Sequence, residues 1–159
     1  MSLFSIGYQS RERAEMKKSN QTEKTPHIAV VYCHNAVSPI ADLREGSFSG
    51  KGFSAFFAAL PCSSKIEPSY ALKMLADGAD GVVVVACPEN HCRFLVGNVR
   101  AEKRISYVRA LLVEARMGAE RLTLERGENL TEEGLLELAR RRIEPLQLLG
   151  PNPMKGEGT

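Results

Sequence analysis

Four short apolar runs punctuate the chain: HIAVVYC at 27–33, FSAFFAALPC at 53–62, GVVVVAC at 81–87 and RLTLER at 121–126. Their length and their β-branched and aromatic content predict strands. The valine run shows no polar alternation, as expected of a strand covered on both faces. Between the later runs the apolar period lengthens to three and four residues, the signature of a helix that packs by one face. Glu67-Pro68 opens one helix, with Tyr70, Ala71, Met74 and Leu75 on its apolar side, and Asp77-Gly78 closes it. A longer helix is predicted over Asn98–Met117, through Val99, Ile105, Val108, Leu112 and Ala115, with Gly118 as its stop. Thr131 caps a last helix through Leu135, Leu138 and Ala139, with Pro145 near its end.

Strands that alternate with helices predict an α/β fold, a parallel sheet of about four strands flanked by helices and joined by right-handed crossovers. A single domain is expected over residues 27–150. Residues 1–26 are polar and charged, with isolated apolar spots at Leu3, Phe4, Ile6 and Tyr8. They read as an N-terminal arm, either a disordered end or a segment that docks on a partner. SPIADLREGSFSGKG, residues 38–52, is expected to be irregular apart from one helical turn, and residues 151–159 form a loop-like tail.

Composition narrows the function. The 159 residues are 43% hydrophobic and 25% charged, and the net charge is only +2. That charge is too small for a nucleic-acid surface, and no basic block is interleaved with aromatics. No apolar run reaches the roughly 18 residues of a membrane-spanning helix. The first residues lack the basic-then-apolar order of a secretion signal. These features point to the cytoplasm, where thiols stay reduced.

The candidate chemistry is cysteine chemistry. Cys33 ends the first predicted strand, Cys62 follows the second, Cys87 ends the third and Cys92 lies in the loop beyond. In a parallel sheet all four fall on one edge, the edge where function collects. Four readings are open: small buried hydrophobes, a disulfide pair, zinc, or an iron–sulfur cluster of the [2Fe–2S] or [4Fe–4S] type. One Cys-x₄-Cys with two dispersed cysteines is unlike the paired knuckles of structural zinc, whereas iron–sulfur sites accept such spacing. A four-thiolate cluster is anionic, and Arg93, Arg100, Lys103, Arg104 and Arg109 follow Cys92 against the single Glu102. The same cations could equally be a solvated helix face or a docking patch. His34 and His91 adjoin cysteines and would give a mixed site, although four cysteines make them more natural as neighbours than as ligands. A thiol enzyme finds little support, because no Cys-x-x-Cys and no clearly placed base are present.

Residues 79–104, ADGVVVVACPENHCRFLVGNVRAEKR, resemble the delta subunit of methyl-viologen-reducing hydrogenase. The shared features are a glycine-aspartate turn, a valine-rich strand, a Cys-x₄-Cys loop, then Gly97-Asn98 and the basic helix start Ala101-Glu102-Lys103-Arg104. The likeness extends to Pro61-Cys62-Ser63-Ser64-Lys65-Ile66-Glu67-Pro68 and to Tyr32-Cys33, and covers roughly residues 28–126. It implies a small flavodoxin-like or Rossmann-like subunit that binds a [2Fe–2S] cluster through Cys33, Cys62, Cys87 and Cys92. Such a subunit relays electrons between a hydrogenase or formate dehydrogenase module and a flavin-containing heterodisulfide-reductase-type subunit, and is itself non-catalytic. The alternative within the same family is a scaffolding subunit with zinc or no metal at the cysteines. Two departures mark a divergent branch. Ala36 stands where the family pattern has a fifth cysteine, and Ser63-Ser64 replaces a more usual Ser-Gly. The four remaining cysteines still suffice for a [2Fe–2S] cluster.

Overall fold

The computed structural model describes residues 25–155, so the expected N-terminal arm up to residue 24 lies outside the described residues. Five strands form one sheet: β1 (His27–Cys33), β2 (Gly46–Gly50), β3 (Phe53–Leu60), β4 (Gly81–Ala86) and β5 (Leu122–Arg126). Their spatial order is β2-β3-β1-β4-β5. The β3–β1, β1–β4 and β4–β5 pairs are parallel, and β2 alone runs antiparallel, along β3. Helices α1 (Pro68–Ala76), α2 (Gly97–Glu114), α3 (Glu132–Arg140) and α4 (Ile143–Leu149) complete the order. The Rossmann-like α/β class is as the sequence predicts.

Two cores explain why the strands read as unbroken apolar runs. Ala29, Val31, Val82 and Val84 pack with Met74 and Leu75 of α1 and Ile105, Val108 and Leu112 of α2. The alternate residues Ile28, Val30, Val83 and Val85 pack with Leu135, Leu138 and Ala139 of α3 and Leu146 of α4. Each strand therefore needs apolar side chains in both directions.

The structure corrects the prediction in four places. There are five strands rather than about four, because GSFSG at 46–50 forms β2. Gly and Ser carry almost no strand signal. The strand exists because Gly52, at φ +79°, turns the chain back along β3, and the Phe48 ring then lies 4.4 Å from that of Phe57. β3 stops at Leu60 rather than continuing through Pro61 to Cys62. The buried stripe of α2 is Asn98, Ala101, Ile105, Val108 and Leu112, while Val99 and Ala115 face solvent. Val99 sits one position, about 100°, round the helix from that stripe. The helix ends at Glu114, where Arg116 at φ +57° turns Met117 back so that its amide bonds the Leu112 carbonyl. Finally, the last predicted helix is two. Proline cannot donate the bond that a continuous helix would require at position 145. The chain breaks at Arg141–Arg142 and restarts, which puts Pro145 in the first turn of α4, where its missing N–H is harmless.

The amino-terminal edge of the sheet is closed by polar side chains. Arg121, fully buried just before β5, donates Nε to the Met117 carbonyl at 3.0 Å and Nη1 to that of Asp80 at 3.0 Å. Its Nη2 reaches the carbonyls of Gly150 at 2.8 Å and Pro151 at 3.0 Å. Asn152 donates Nδ2 to the carbonyls of Leu75 and Ala79, at 2.8 and 2.6 Å. Asp80 accepts from the His27 backbone N–H at 2.8 Å and from Lys155 Nζ at 2.7 Å. Burial, then the Lys155 charge, push the His27 imidazole down to about 4 against the pull of Asp80. Of the tail, the described residues 151–155 form no helix or strand and are fastened under the sheet together with Gly150.

Candidate functional site

The carboxyl edge is different. Strand pairing fixes how far each cysteine protrudes there. Cys33 pairs with Leu60, so Cys62 lies two residues beyond it on one side. Tyr32 pairs with Val85, so Cys87 lies one residue further out than Cys33 on the other. The chain leaves β1 for β3 on one flank and returns to β4 on the other, making β1/β4 the topological switch point where such sheets bind ligands. Cys92 arrives from the loop after β4, five residues before α2 begins at Gly97.

All four thiols are buried and unbridged. Cys62, Cys87 and Cys92 pack together as a cluster separate from both cores. Cys33 sits at the end of β1 and lies within electrostatic reach of Cys87. Cys87 thus has Cys33 and Cys92 as neighbours, and Cys92 has Cys62.

The two members of the Cys-x₄-Cys pair have opposite environments. Burial pushes the Cys87 thiol up to about 11; Cys33 and Cys92 add to the rise, and the Asn35 amide hydrogen-bonded to it opposes. Burial also acts to raise Cys92, but the backbone N–H groups of Phe94, Asn98 and Gly97 and the Cys62 thiol bond to it, and the net shift is downward. Gly97 and Asn98 belong to the first turn of α2, whose N–H groups have no partner within the helix and favour a nearby anion.

Gly97 makes this approach sterically possible. A Cβ built on it would lie 2.4 Å from Cys62 Sγ and 2.9 Å from Cys92 Sγ. Any side chain here would occupy the space between the two thiols. Around this gap the loops are clamped. Ser64 Oγ donates to Cys62 Sγ at 3.3 Å, and the Arg104 guanidinium holds the Ser64 carbonyl. Asn98 Nδ2 donates to the Pro88 carbonyl at 2.8 Å, Arg126 Nη1 to that of Cys87 at 3.3 Å, and Asn35 Nδ2 to that of His91 at 2.8 Å. Asn90 adopts φ +63° within the Cys-x₄-Cys loop, a conformation asparagine accepts at little cost. The Ser63 hydroxyl, next to Cys62, is fully buried and has no hydrogen-bond partner among the described residues.

These features fit a thiolate-held anionic group: four soft donors, backbone N–H groups aimed at one of them, a side-chain-free gap between two, and a buried hydroxyl with bonding capacity left over. Among the described residues, no three of the Cys, His, Asp and Glu side chains already meet as the ligand set of a single ion. His34 is exposed, edge-on to the Tyr32 ring at 6.5 Å, and His91 is exposed 3.4 Å from Glu128. Ala36 is fully buried in the same core as Cys33, and its carbonyl accepts from the Leu130 N–H at 3.1 Å. Of the basic residues after Cys92, Arg104 is engaged by the Cys62 turn and Arg109 faces Glu120 at 3.6 Å. Arg126, which the charge pattern did not single out, bonds both Cys87 and Glu102. Asn35 and Ser64 also went unassigned in the sequence, which carries no spacing signal for them. A glycine opening a helix just after a Cys-x₄-Cys was the available clue to Gly97.

Fold and site together define a small α/β protein with a thiol-lined carboxyl edge. The chain belongs to the family described as methyl-viologen-reducing hydrogenase, delta subunit, whose model matches residues 28–150. It is similar to the vhu iron-sulfur subunit of the F420-non-reducing hydrogenase of Methanococcus maripaludis, 31% identical over 130 residues, which are 82% of this chain and 97% of that protein. The corresponding protein of Methanocaldococcus jannaschii is 28% identical over 132 residues, 83% of this chain and 98% of that one. A stretch of 61 residues, 38% of this chain, is 36% identical to 8% of one of the subunits of the ferredoxin:CoB-CoM heterodisulfide reductase of Methanosarcina mazei. No helix among the described residues is long and apolar enough to cross a membrane.

Proposed function

We propose that this protein is an electron-transfer subunit that holds a [2Fe–2S] cluster through Cys33, Cys62, Cys87 and Cys92. The observation that carries the reading is the set of four buried thiols at one edge of the sheet, with the gap that Gly97 leaves open between Cys62 and Cys92. Bound there, the cluster supplies one-electron uptake and release. The chain's own groups orient and tune it. The α2 N–H groups and the Ser64 hydroxyl stabilise negative charge on sulfur, and Asn35, Asn98 and Arg126 fix the Cys-x₄-Cys loop.

The partners proposed are a hydrogenase or formate dehydrogenase module on one side and the flavin-containing subunit of a heterodisulfide-reductase-type complex on the other, in the cytoplasm. The relatives' names support the first. The second is supported by a family-like stretch inside a heterodisulfide reductase chain, since a segment carried within one protein's chain marks that protein as a working neighbour. Iron, sulfide and zinc analysis with electron paramagnetic resonance on anaerobically prepared protein tests the cluster. Two irons, two sulfides and a reduced-state signal are expected per chain. Stoichiometric zinc, or intact thiols without iron after reconstitution, would replace this reading with a scaffolding role.

A further inference from the structure

The basic run after Cys92 is not uniform. Arg93, Arg100 and Lys103 are exposed, and Arg109 faces Glu120 at 3.6 Å. Arg104 is partly buried, and its guanidinium meets backbone oxygen. It donates to the Ser64 carbonyl and, at 3.4 Å, to that of Ile66. It has no carboxylate partner among the described residues, whereas Glu102, on the same helix, faces Arg126 at 3.0 Å.

Arg104 stands two turns beyond Gly97 on α2, so both lie on one side of the helix, about 10 Å apart along its axis. At the Gly97 end, N–H groups of the first turn bond Cys92. At the Arg104 end, the guanidinium grips the turn that follows Cys62. That turn, Ser63–Lys65, is closed by bonds of its own, from Lys65 N–H to the Cys62 carbonyl and from Ile66 N–H to the Ser63 carbonyl, each at 3.0 Å. The Ser64 whose carbonyl Arg104 holds also donates its hydroxyl to Cys62 Sγ at 3.3 Å. One helix thus serves the sulfurs on both sides of the Gly97 gap, Cys92 directly and Cys62 through Arg104 and Ser64. A planar guanidinium spans two carbonyls in fixed geometry, which a lysine ammonium does not. Outer groups that orient ligands in this way control affinity for the group the ligands hold. Charge adds a second effect. Carbonyl oxygens carry only partial charge and leave the guanidinium largely uncancelled. A fixed cation beside an anionic cluster favours the extra electron of the reduced state.

We propose that Arg104 is a positioning residue for the cluster: it sets Cys62 opposite Cys92 through the Ser64 and Ile66 carbonyls, and its charge favours the reduced state. The proposal rests on the electron-transfer reading above. It separates Arg104 from the exposed cations beside it, whose fields solvent and salt screen.

The test uses the full chain reconstituted with iron and sulfide, as wild type and as Arg104→Met, Arg104→Lys and Arg100→Met. Redox titration followed by electron paramagnetic resonance gives the midpoint potential, and the rate at which a chelator bleaches the visible absorbance gives cluster retention. Arg104→Met should lose its cluster about tenfold faster. Its potential should move to more negative values by about 59 mV, a tenfold weaker preference for the reduced state. Arg104→Lys keeps the charge without the fork, so its potential should return to near the wild-type value while cluster loss stays fast. Arg100→Met should leave both readings unchanged. Wild-type potential and retention in Arg104→Met overturn the proposal alone. An equal shift in Arg100→Met overturns it too, because the effect then belongs to the charge of the whole helix. If Arg104→Met folds too poorly to load, Arg104→Lys decides: retention equal to wild type overturns the positioning role. A wild type that takes up no iron and sulfide overturns the electron-transfer reading and this proposal with it.

Discussion

The two edges of one sheet are built on opposite terms. At the amino edge, cationic and amide side chains gather backbone carbonyls: Arg121 alone ties four together, and Asn152 and Asp80 lock the tail beneath α1 and β1. At the carboxyl edge, soft thiols crowd one another and a leucine is held in left-handed backbone. The comparison teaches that stability is concentrated at one end of the strands so that the other can be left reactive.

Exchanging the two kinds of change would break this division most sharply. Gly97→Ala puts a methyl between Cys62 and Cys92, and cluster loading should fall by about tenfold or more, as read by iron and sulfide content. Arg121→Ala should do the reverse. It strands four carbonyls, those of buried Met117 and Asp80 among them, and should lower unfolding free energy by about 3 kcal/mol, measured by denaturant titration, while protein still folded loads its cluster normally. Normal loading of the alanine variant at 97, or unchanged stability of the variant at 121, would dissolve the distinction.

Two smaller effects sharpen the picture within the rim. Cys87, raised to about 11, favours its protonated form in the folded chain, so its contribution to the stability of cluster-free protein is complete below the unfolded thiol value of about 8.5 and is lost as pH rises through about 11. Cys92, lowered, has the opposite sign: its contribution is present above the unfolded value and is lost as pH falls through the folded one. Alkylation of cluster-free protein followed by mass spectrometry should therefore label Cys92 at lower pH than Cys87, and simultaneous labelling would contradict the assigned environments. Smallest, Ser64→Gly removes the hydroxyl that donates to Cys62 Sγ. The reduction potential of the loaded protein should become more negative by roughly 30 mV, the one-electron equivalent of about 0.7 kcal/mol.

The sequence by itself determined the parallel core and the edge on which the cysteines fall. The valine run, the Pro68 helix start and the Thr131 cap are local signals that tertiary contacts had no cause to override. It also carried the family likeness through the Cys-x₄-Cys loop and Gly97-Asn98. Only the tertiary structure decided the rest. GSFSG became a strand because β3 offered it an edge. Arg121 became a buried anchor because residues 150–151 folded back to meet it. Asn35 and Ser64 reached the thiols from separate loops, and strand register decided how far Cys33, Cys62 and Cys87 protrude at the edge. Periodicity reports which way a side chain faces on its own element. It does not report which distant backbone carbonyl or sulfur that side chain will meet, because that depends on how the strands stack and where the loops between them close.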